Sequence, residues 1–335
     1  MYHSLFAARR HHLRPEQIAM SQNKTAIIID PKVDWYRSQF AGKYAGLDVH
    51  VFPDAHSAGA LVPRADAILG MGHHFHDDMV GRASNLKWIQ AFTTGVDQIV
   101  LLPSLRPEVT VTSMRGIHGS QLSEMAFMHM LNLSRNYRQI LRNQENAVWA
   151  KVPQPRLCDK TVVIVGVGLI SAELAPRCKA FGMKVIGVTS APRDLPGFDR
   201  MMRREELVDA ARLADFMIVL APYTPENDQL VSKTVIDAMK PTAIIVNIAR
   251  GGVCDEDAIL AAIREKRIGG AGLDVFRTEP LPPDHPFWKE ERIMITPRMS
   301  GGSDDYHTLT IPTIKQNLQC FVEGRMQDMI NVVPH

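Results

Sequence analysis

The sequence has few cysteines and no closely spaced pair of them. Its four cysteines lie far apart, and none belongs to a CxxC pair: Cys158, Cys178, Cys254 and Cys320. This spacing fits neither a disulfide framework nor a zinc site. Because reduced thiols are typical of the cytoplasm, we expect a cytoplasmic protein that holds no metal.

An excess of charge and long hydrophobic runs are also missing. The chain carries 38 Lys and Arg against 36 Asp and Glu, a formal net charge of +2. So small an excess gives no basic field for nucleic acid or for an anionic membrane surface. No apolar run approaches the roughly 18 residues that a membrane span requires. A small molecule is therefore the expected partner.

The remaining composition is that of a globular protein, with 45% hydrophobic and 22% charged residues. At about 150 residues per domain, the 335 residues predict two domains, and two domains usually form a cleft. The first 22 residues carry three arginines before their first acid and lack the apolar region of a secretory signal. We expect residues 1–22 to be a disordered tail, with Met20 as an alternative start of the protein.

Short apolar runs alternate with helical segments along most of the chain. Five runs precede a long helical pattern, SQLSEMAFMHMLNLSRNYRQILRNQENAVW, for which Ser120 or Ser123 is the expected N-cap. The five are TAIIID, LDVHVF, ADAILGM, LKWIQAF and VTVTS. Six more follow Pro153 and Pro155, and they predict a six-stranded sheet: TVVIVGVG, KVIGVT, ADFMIVLA, AIIVNIA, GGAGLDVF and RIMIT.

This alternation predicts an α/β protein of two Rossmann-like domains, each with a doubly wound parallel sheet. The helical tail from Ser303 to about Gly324 ends in MINVV, which we expect to return to the first domain. The predicted substrate domain is therefore discontinuous, residues 23–117 with 303–335. Residues 118–302 form the predicted dinucleotide-binding domain, and the active site is expected in the cleft between the two.

A glycine turn follows the first strand of the second domain. In TVVIVGVGLIS, Gly166 permits a sharp turn, and Gly168 lets the backbone approach a pyrophosphate at the helix N-terminus. Ser171 stands at the third glycine position, where we expect it to loosen the packing of the helix slightly. With a strand before it and a helix after it, the motif predicts a dinucleotide site, and a glycine turn without a ligand is the alternative.

The end of the next strand lacks an acid. NAD sites place Asp or Glu about 20 residues after the glycines to bind the ribose 2′-hydroxyl, whereas sites for a 2′-phosphate supply Arg instead. Here the strand ends in TSAPR, with Thr189, Ser190 and Arg193. The pattern predicts NADP as the preferred cofactor. The alternative is NAD, with Arg193 in a solvated loop.

These motifs resemble the D-isomer-specific 2-hydroxyacid dehydrogenases, the family of glyoxylate/hydroxypyruvate reductases and phosphoglycerate dehydrogenase. The resemblance covers roughly residues 85–325, and EPLPPDHPFW is most similar to the glyoxylate/hydroxypyruvate branch. It implies an oxidoreductase that transfers a hydride between a nicotinamide and a 2-keto or D-2-hydroxy acid. It also implies a homodimer, because residues 123–142 hold more apolar side chains than one buried stripe needs: Met125, Phe127, Met128, Met130, Leu131 and Leu133.

The family pattern implies substrate and cofactor residues. Arg250 in NIARGG would grip the substrate carboxylate and the reacting carbonyl oxygen. The backbone amides of Gly95 and Val96 in TTGVD would bind the same carboxylate. Asp274 in LDVF would bind the nicotinamide amide, although an Asp at a strand end is also often a turn former. The other implied cofactor contacts are Leu169, Ile170, Pro222 and Ala249.

The chain departs from the family at the proton donor. The family pairs a Glu with a His that donates a proton as hydride arrives. Glu279 is present in RTEPL, but ITPRMSGG holds Arg298 at the histidine position. Because an Arg stays protonated at neutral pH, it polarises a carbonyl or binds an anion but is a poor general acid.

Three interpretations of Arg298 follow. In the first, Arg298 pairs with Glu279, and a water or another group delivers the proton. Candidates are His118, near the long helix, or a histidine of the GHHFH loop: His73, His74 or His76. In the second, Arg298 binds another anionic group of a dianionic substrate. In the third, the protein is an NADP(H)-binding regulator or scaffold without turnover. The HHxH spacing is not that of a tetrahedral metal site.

Overall fold

The computed structural model describes residues 23–335, so the expected tail at residues 1–22 lies outside the described residues. The described chain divides into two compact units. Unit 1 consists of the residues up to Met114 together with Ile311–His335, and unit 2 is Arg115–Thr310. The domain limits predicted from the sequence stay a prediction. Between residues 23 and 335, no helix has both the length and the hydropathy to cross a membrane.

Unit 1 is built on a five-stranded parallel sheet in the order β2-β1-β3-β4-β5. Each strand coincides with an apolar run predicted above: β1 (Lys24–Ile29), β2 (Leu47–Phe52), β3 (Ala67–Gly70), β4 (Trp88–Ala91) and β5 (Thr110–Thr112). Four short helices accompany them: α1 (Val33–Phe40), α2 (Ala55–Ala58), α3 (Asp77–Arg82) and α4 (Asp97–Val100). The central strands are apolar throughout because a parallel sheet is covered on both faces.

The long helical pattern that follows forms two helices, α5 (Gly119–Ser134) and α6 (Tyr137–Glu145), so the prediction of one helix is wrong. The break is at Asn136, whose φ of 52° lies in the left-handed region that Asn tolerates better than most residues. Neither predicted serine is the N-cap. That position is His118, and Ser123 instead donates its hydroxyl to the Gly119 carbonyl at 2.6 Å.

Unit 2 contains a seven-stranded parallel sheet in the order β12-β11-β10-β9-β6-β7-β8. Its strands are β6 (Thr161–Val165), β7 (Lys184–Thr189), β8 (Arg200–Arg203), β9 (Phe216–Val219), β10 (Ile244–Asn247), β11 (Gly270–Leu273) and β12 (Ile293–Ile295). The predicted six-stranded sheet is corrected by β8, which reads RMMR. Only Met202 of this edge strand is fully buried, so β8 lacks the apolar run that identified the others.

The remaining helices of unit 2 are α7 (Leu169–Ala180), α8 (Leu207–Leu213), α9 (Lys233–Asp237) and α10 (Glu256–Arg264). Helix α5 packs on the sheet and buries most of its apolar side chains inside the unit, among them Met125, Phe127, Met130 and Leu133. Two parallel sheets with helices along the connections confirm the predicted α/β, Rossmann-like class.

Helix α11 (Tyr306–Val322) leads from unit 2 to the C-terminal segment of unit 1. Inside unit 1, the Asn317 amide donates to Gln90 Oε1 at 2.9 Å, and Phe321 packs against the ring of Trp88. The chain after the helix then runs antiparallel to β5 through a bridge between Thr112 and Val332. The first and last parts of the described chain therefore share one core.

Candidate active site

The carboxyl ends of the unit 2 strands gather most of the predicted site residues at one edge of the sheet. The glycine turn follows β6, Thr189 ends β7, Pro222 follows β9 and Arg250 follows β10. Asp274 and Glu279 follow β11, and Arg298 follows β12. The strand order reverses between β6 and β9, the switch point where open α/β sheets bind ligands. Gly95 and Val96 lie in unit 1, between β4 and α4.

The glycine turn uses its two glycines for different reasons. Gly166 has a φ of +100°, and a Cβ there would stand 2.5 Å from the Ala221 nitrogen, so no other residue fits. A Cβ on Gly168 would meet no heavy atom of the described residues within 4 Å. This open position is at the N-terminus of α7, so a pyrophosphate can approach the backbone there.

Ser171, in place of the third glycine, closes the first turn of α7. Its hydroxyl accepts from the Gly168 N–H at 2.8 Å and donates to the Gly168 carbonyl at 2.9 Å. These bonds lie within the helix turn, and the expected loosening of the helix against its strand stays a prediction. Because the Gly168 N–H already has a partner, the first-turn amides that follow it, among them those of Leu169 and Ile170, are the donors left for an anion.

Two arginines, Arg193 and Arg203, lie near the carboxyl ends of β7 and β8. Thr189 is half-buried, and Ser190 and Arg193 are exposed. Parallel pairing of β7 with β8 places Arg203 beside Thr189. Sequence reasoning missed Arg203 because it missed β8, whose residues RMMR do not alternate between apolar and polar and so carry no strand signal. Both hydroxyls and both cations therefore lie at the carboxyl ends of adjacent strands or just after them.

The loop that carries Arg250 is fixed by Asn247, a buried residue that sequence reasoning also missed. The Asn247 side chain donates to the Arg250 carbonyl at 2.9 Å and accepts from the Ala249 N–H at 3.1 Å. The Arg250 guanidinium is half-buried and donates to the Ala249 carbonyl at 2.8 Å. A Cβ on Gly251 would lie 1.9 Å from the Phe276 carbonyl carbon, so this glycine lets the loop contact the one after β11.

Asp274 organises the segment that carries Arg298. Its buried carboxylate accepts from the Thr296 hydroxyl at 2.6 Å, from the Met299 N–H at 3.0 Å and from the Ser300 N–H at 3.0 Å. Its carbonyl accepts the Arg298 N–H at 2.8 Å. Three donors thus occupy the carboxylate, and its predicted contact with a nicotinamide amide stays a prediction.

Arg298 forms an ion pair with Glu279. Its Nη1 donates to Glu279 Oε2, while Glu279 Oε1 accepts from the Phe276 N–H at 3.0 Å. Arg298 is 46% exposed and Glu279 is 24% exposed, so the pair is open to solvent. The Arg298 backbone has a φ of 51°, held by its bond to the Asp274 carbonyl. Since a guanidinium has five N–H donors, Arg298 keeps donors for a second anionic or carbonyl oxygen.

His118 lies beside the segment that carries Arg298. Its Nε2 is 3.0 Å from the Tyr306 hydroxyl, and a Cβ on Gly301 would stand 3.3 Å from its ring. The histidines of the GHHFH loop belong to unit 1, where Gly72–His74 form a 3₁₀ turn after β3. No cluster of three metal-binding side chains was found among residues 23–335.

A buried histidine that sequence reasoning missed completes the network. Thr296 donates to Asp274, so its oxygen accepts from His129 Nε2 at 3.3 Å, and this assigns the proton to Nε2. His129 Nδ1 is buried and has no hydrogen-bond partner. Burial lowers the pKa of His129 to about 4, partly opposed by the Asp274 charge. The ring fits because Gly272 faces it; a Cβ there would stand 2.5 Å from the imidazole.

Residues 127–300, more than half of the chain, match the D-isomer specific 2-hydroxyacid dehydrogenase family in its NAD binding domain. The fold and the glycine turn define a dinucleotide-binding α/β protein, and this match identifies its family. The chain belongs to the D-isomer specific 2-hydroxyacid dehydrogenase family. It is an oxidoreductase that uses a nicotinamide dinucleotide, as the sequence predicted, in a family that acts on small 2-hydroxy and 2-keto acids.

Individual relatives agree with this assignment. The chain is 29% identical over 266 residues to a glyoxylate reductase of Korarchaeum cryptofilum (strain OPF8), which covers 75% of this chain and 80% of the relative. A family protein from Aeromonas salmonicida superposes with a TM-score of 0.85 at 28% identity, covering 93% of this chain and 99% of that one. An NADPH-dependent glyoxylate/hydroxypyruvate reductase from Sinorhizobium meliloti, solved with NADP and sulfate, has a TM-score of 0.79 at 25% identity, covering 93% and 98%.

The depressed pKa of His129 predicts a loss of stability in acid. The folded pKa of about 4 lies below the ordinary value of about 6.5. Between these values the unfolded chain binds a proton that the folded chain does not, so the stabilisation is complete above about pH 6.5 and falls as the pH falls toward 4. His129→Gln removes this titration. As the pH falls from 6.5 to 4, the free energy of unfolding of the variant should therefore fall by less than that of wild type, and the difference should be on the order of a few kcal/mol.

Urea unfolding of wild type and His129→Gln across this pH range measures the effect. The slopes of the unfolding free energy against pH are compared, rather than its absolute values, because the substitution also changes a buried hydrogen bond. His50→Gln, on the exposed surface, tests whether losing any histidine flattens the curve. Equal slopes for wild type and His129→Gln would exclude the assigned role.

Proposed function

We propose that the protein reduces small 2-keto acids of the glyoxylate and hydroxypyruvate type, with NADPH as the preferred hydride source and with an unusual proton donor. The observation that carries the proposal is the position of Arg250. Its loop is fixed by Asn247 and Gly251 beside the loop that leads to Glu279, at the carboxyl edge where the glycine turn also lies. A bound nicotinamide supplies a hydride at this edge.

Arg250 acts as the substrate clamp in this proposal. Its half-buried guanidinium can bind a carboxylate with two parallel hydrogen bonds and leave a donor for the neighbouring keto oxygen. Side-chain freedom is already reduced, because Arg250 Nη1 donates to the Ala249 carbonyl. The amides of Gly95 and Val96, in unit 1, stay predicted partners of the same carboxylate.

Arg298 and Glu279 act on the charge that develops on the keto oxygen. Addition of a hydride to the keto carbon leaves an alkoxide, which a nearby guanidinium stabilises without transferring a proton. Glu279 orients Arg298 through their ion pair. A water molecule then supplies the proton, since Arg298 cannot cycle one at neutral pH. His118 is the alternative donor, because it contacts the segment that carries Arg298.

A preference for NADP rests on the carboxyl ends of β7 and β8. In place of an acid, this edge offers the Thr189 and Ser190 hydroxyls and the guanidinium groups of Arg193 and Arg203. A ribose 2′-phosphate is the ligand that these groups fit. Leu169, Ile170, Pro222 and Ala249 would contact the rest of the dinucleotide, and Asp274 its nicotinamide amide.

We also propose a homodimer, with an interface formed by α6 and the segment after it rather than by the apolar residues of α5. The apolar face of α5 is largely buried within unit 2, whereas α6 and the segment after it expose four large apolar side chains: Tyr137, Leu141, Val148 and Trp149. Tyr137 and Leu141 lie one turn apart on the same side of α6, and an exposed apolar patch is typical of a protein interface. Sedimentation of the full chain at micromolar concentration measures the assembly, and a monomer there excludes it. A cytoplasmic location stays a prediction.

A non-catalytic NADP(H)-binding regulator is the second candidate function. The observation in its favour is Arg298 at the position where the family has its proton donor. The clamp residue Arg250 and the retained Glu279 argue for the enzyme, because a protein that binds only the dinucleotide has no use for them. The substitution of Arg298 below distinguishes the two functions.

Removing Arg193 should weaken the preference for NADPH. Charge-assisted contacts to a 2′-phosphate contribute about 1.5–3 kcal/mol each, so wild type should prefer NADPH over NADH tenfold or more. Arg193→Ala removes one such contact and should lower this ratio. The measurement is kcat/KM for NADPH and NADH with one keto acid. Lys184→Ala, at the opposite end of β7, is the matched control that should keep the wild-type ratio. Comparable values for the two cofactors in wild type would refute the preference.

Removing Arg250 should weaken substrate binding and leave cofactor binding unchanged. Arg250→Ala leaves the substrate carboxylate without its charged partner, so the KM for keto acids should rise by about two orders of magnitude, as expected for a lost charge-assisted pair. The Kd for NADPH should stay within about twofold, because the guanidinium does not contact the dinucleotide in this proposal. Steady-state kinetics and fluorescence titration measure the two quantities, with Arg264→Ala as an exposed control. Undiminished activity on every accepted keto acid would show that another residue is the clamp.

Arg298→His should convert the site to the family's usual acid. With Glu279 beside it, an imidazole at this position is held charged, and general acid catalysis typically contributes about 10²–10⁴-fold. The variant should therefore raise kcat for glyoxylate or hydroxypyruvate and introduce a pH dependence near 6.5, the ordinary pKa of His. Kinetics across pH on both proteins test this, and adding Glu279→Gln should remove the gain.

The same variant separates the remaining interpretations of Arg298. If Arg298 binds a second anion, Arg298→His should lower activity on dianionic keto acids while it raises activity on monoanionic ones. If wild type and Arg298→His both bind NADPH and turn over no keto acid, the regulator replaces the enzyme as the proposed function.

A further inference from the structure

Unit 2 contains a cavity of about 540 Å³ at the edge of its sheet opposite the candidate active site. Phe216 and Ile244, which line it, are the first residues of β9 and β10. Lys160, Gly269 and Arg292 each lie just before the first residues of strands β6, β11 and β12. The cavity therefore lies where five parallel strands begin, whereas the glycine turn and Arg250 lie where they end.

We propose that this cavity binds a small organic anion that carries phosphate or carboxylate groups. Four cationic side chains line it, Arg156, Lys160, Lys266 and Arg292. Arg156 pairs with Asp159 and Lys160 with Asp215, so Lys266 and Arg292 are the cations in excess. An excess of cations in a concave site raises the local concentration of anions and binds them. The volume lies within the range of about 300–1,000 Å³ that is usual for small-molecule pockets, so the site can hold a metabolite-sized molecule.

Asp215 carries a single negative charge, which lies beside Lys240 and Lys160, so it does not neutralise Lys266 or Arg292. One oxygen accepts the Thr161 N–H at 2.8 Å, and the other lies 3.1 Å from Lys240 Nζ and 3.9 Å from Lys160 Nζ. Lys240 therefore adds a fifth cation beside the only acid of the lining. The charges of Lys266 and Arg292 are left without a carboxylate.

Arg292 is the most informative of the cations. Its guanidinium is half-buried and donates to the Gly269 carbonyl and to Asn136 Oδ1, both neutral acceptors. No ion pair to Arg292 or Lys266 was found among residues 23–335. Burial lowers the pKa of Arg292, so its surroundings disfavour the charge. A bound anion would stabilise the charge of Arg292 and accept from the remaining N–H donors of its guanidinium.

Apolar side chains form the rest of the lining and indicate that the ligand has a carbon body. Phe216, Ile244 and Ile268 face the same cavity as the cations. Such walls beside a few convergent charges are typical of sites for small organic molecules rather than for bare ions. Because strands of four or five residues span about 13–17 Å, this site is separate from the one at the carboxyl edge.

Isothermal titration of the full chain tests the proposal with pyrophosphate and with citrate as probes. Saturating NADPH covers the glycine turn, and chloride keeps the ionic strength constant. At least one probe should bind to wild type. Lys266→Gln should weaken that binding about tenfold or more, as expected for a charge-assisted contact. Lys315→Gln, an exposed lysine of unit 1, is the matched control and should leave the Kd unchanged.

Arg292→Gln should weaken binding at least as much, and Lys266→Gln decides the question if the Arg292 variant unfolds. Binding of pyrophosphate alone identifies a phosphate site, and binding of citrate alone a carboxylate site; either supports the proposal. Absence of binding by both probes, or an unchanged Kd in Lys266→Gln, overturns it. The readout needs no turnover, so a failure here is distinguishable from a failure of the proposed enzyme activity.

Discussion

The buried carboxylate of Asp274 is the constraint on which the candidate active site depends. It accepts two backbone amides and one hydroxyl from the segment Thr296–Ser300, and its own carbonyl accepts the Arg298 amide. A buried carboxylate needs such donors, because an unpaired charge in the interior is strongly destabilising. The same bonds fix the left-handed backbone of Arg298 and so direct its guanidinium to Glu279. His129 supports this arrangement from the core, through Thr296.

The chemistry of the site depends on the side chain at position 298, which this segment carries. A histidine at this position would exchange a proton with the substrate, and an arginine at the same position only offers charge. Glu279 remains in place and now forms an ion pair. In the proposed function, Arg250 binds the keto acid, Arg298 polarises it, and the proton arrives from water or from His118.

A parallel sheet separates two kinds of cationic surface in unit 2. At the carboxyl edge lie Arg193, Arg203, Arg250 and Arg298, and the proposed function assigns a dinucleotide and a keto acid to this edge. At the amino edge, Lys266 and Arg292 line a separate cavity. Since every strand runs in the same direction, a residue's place before or after its strand decides which edge it reaches. A ligand at one edge does not contact the other.

The sequence by itself determined the two parallel sheets, the dinucleotide site and the candidate clamp, because apolar runs, glycines and short motifs are local signals. The alternation of runs located eleven of the strands, but the edge strand β8 escaped because only one of its side chains is fully buried. Arg203 was missed together with β8, and His129 was missed for a different reason. A buried polar residue acquires its role from partners far along the chain, such as Thr296 for His129, and only the tertiary structure brings them within hydrogen-bond distance. The break at Asn136 and the cavity at the amino edge were likewise decided by packing, which no local pattern encodes.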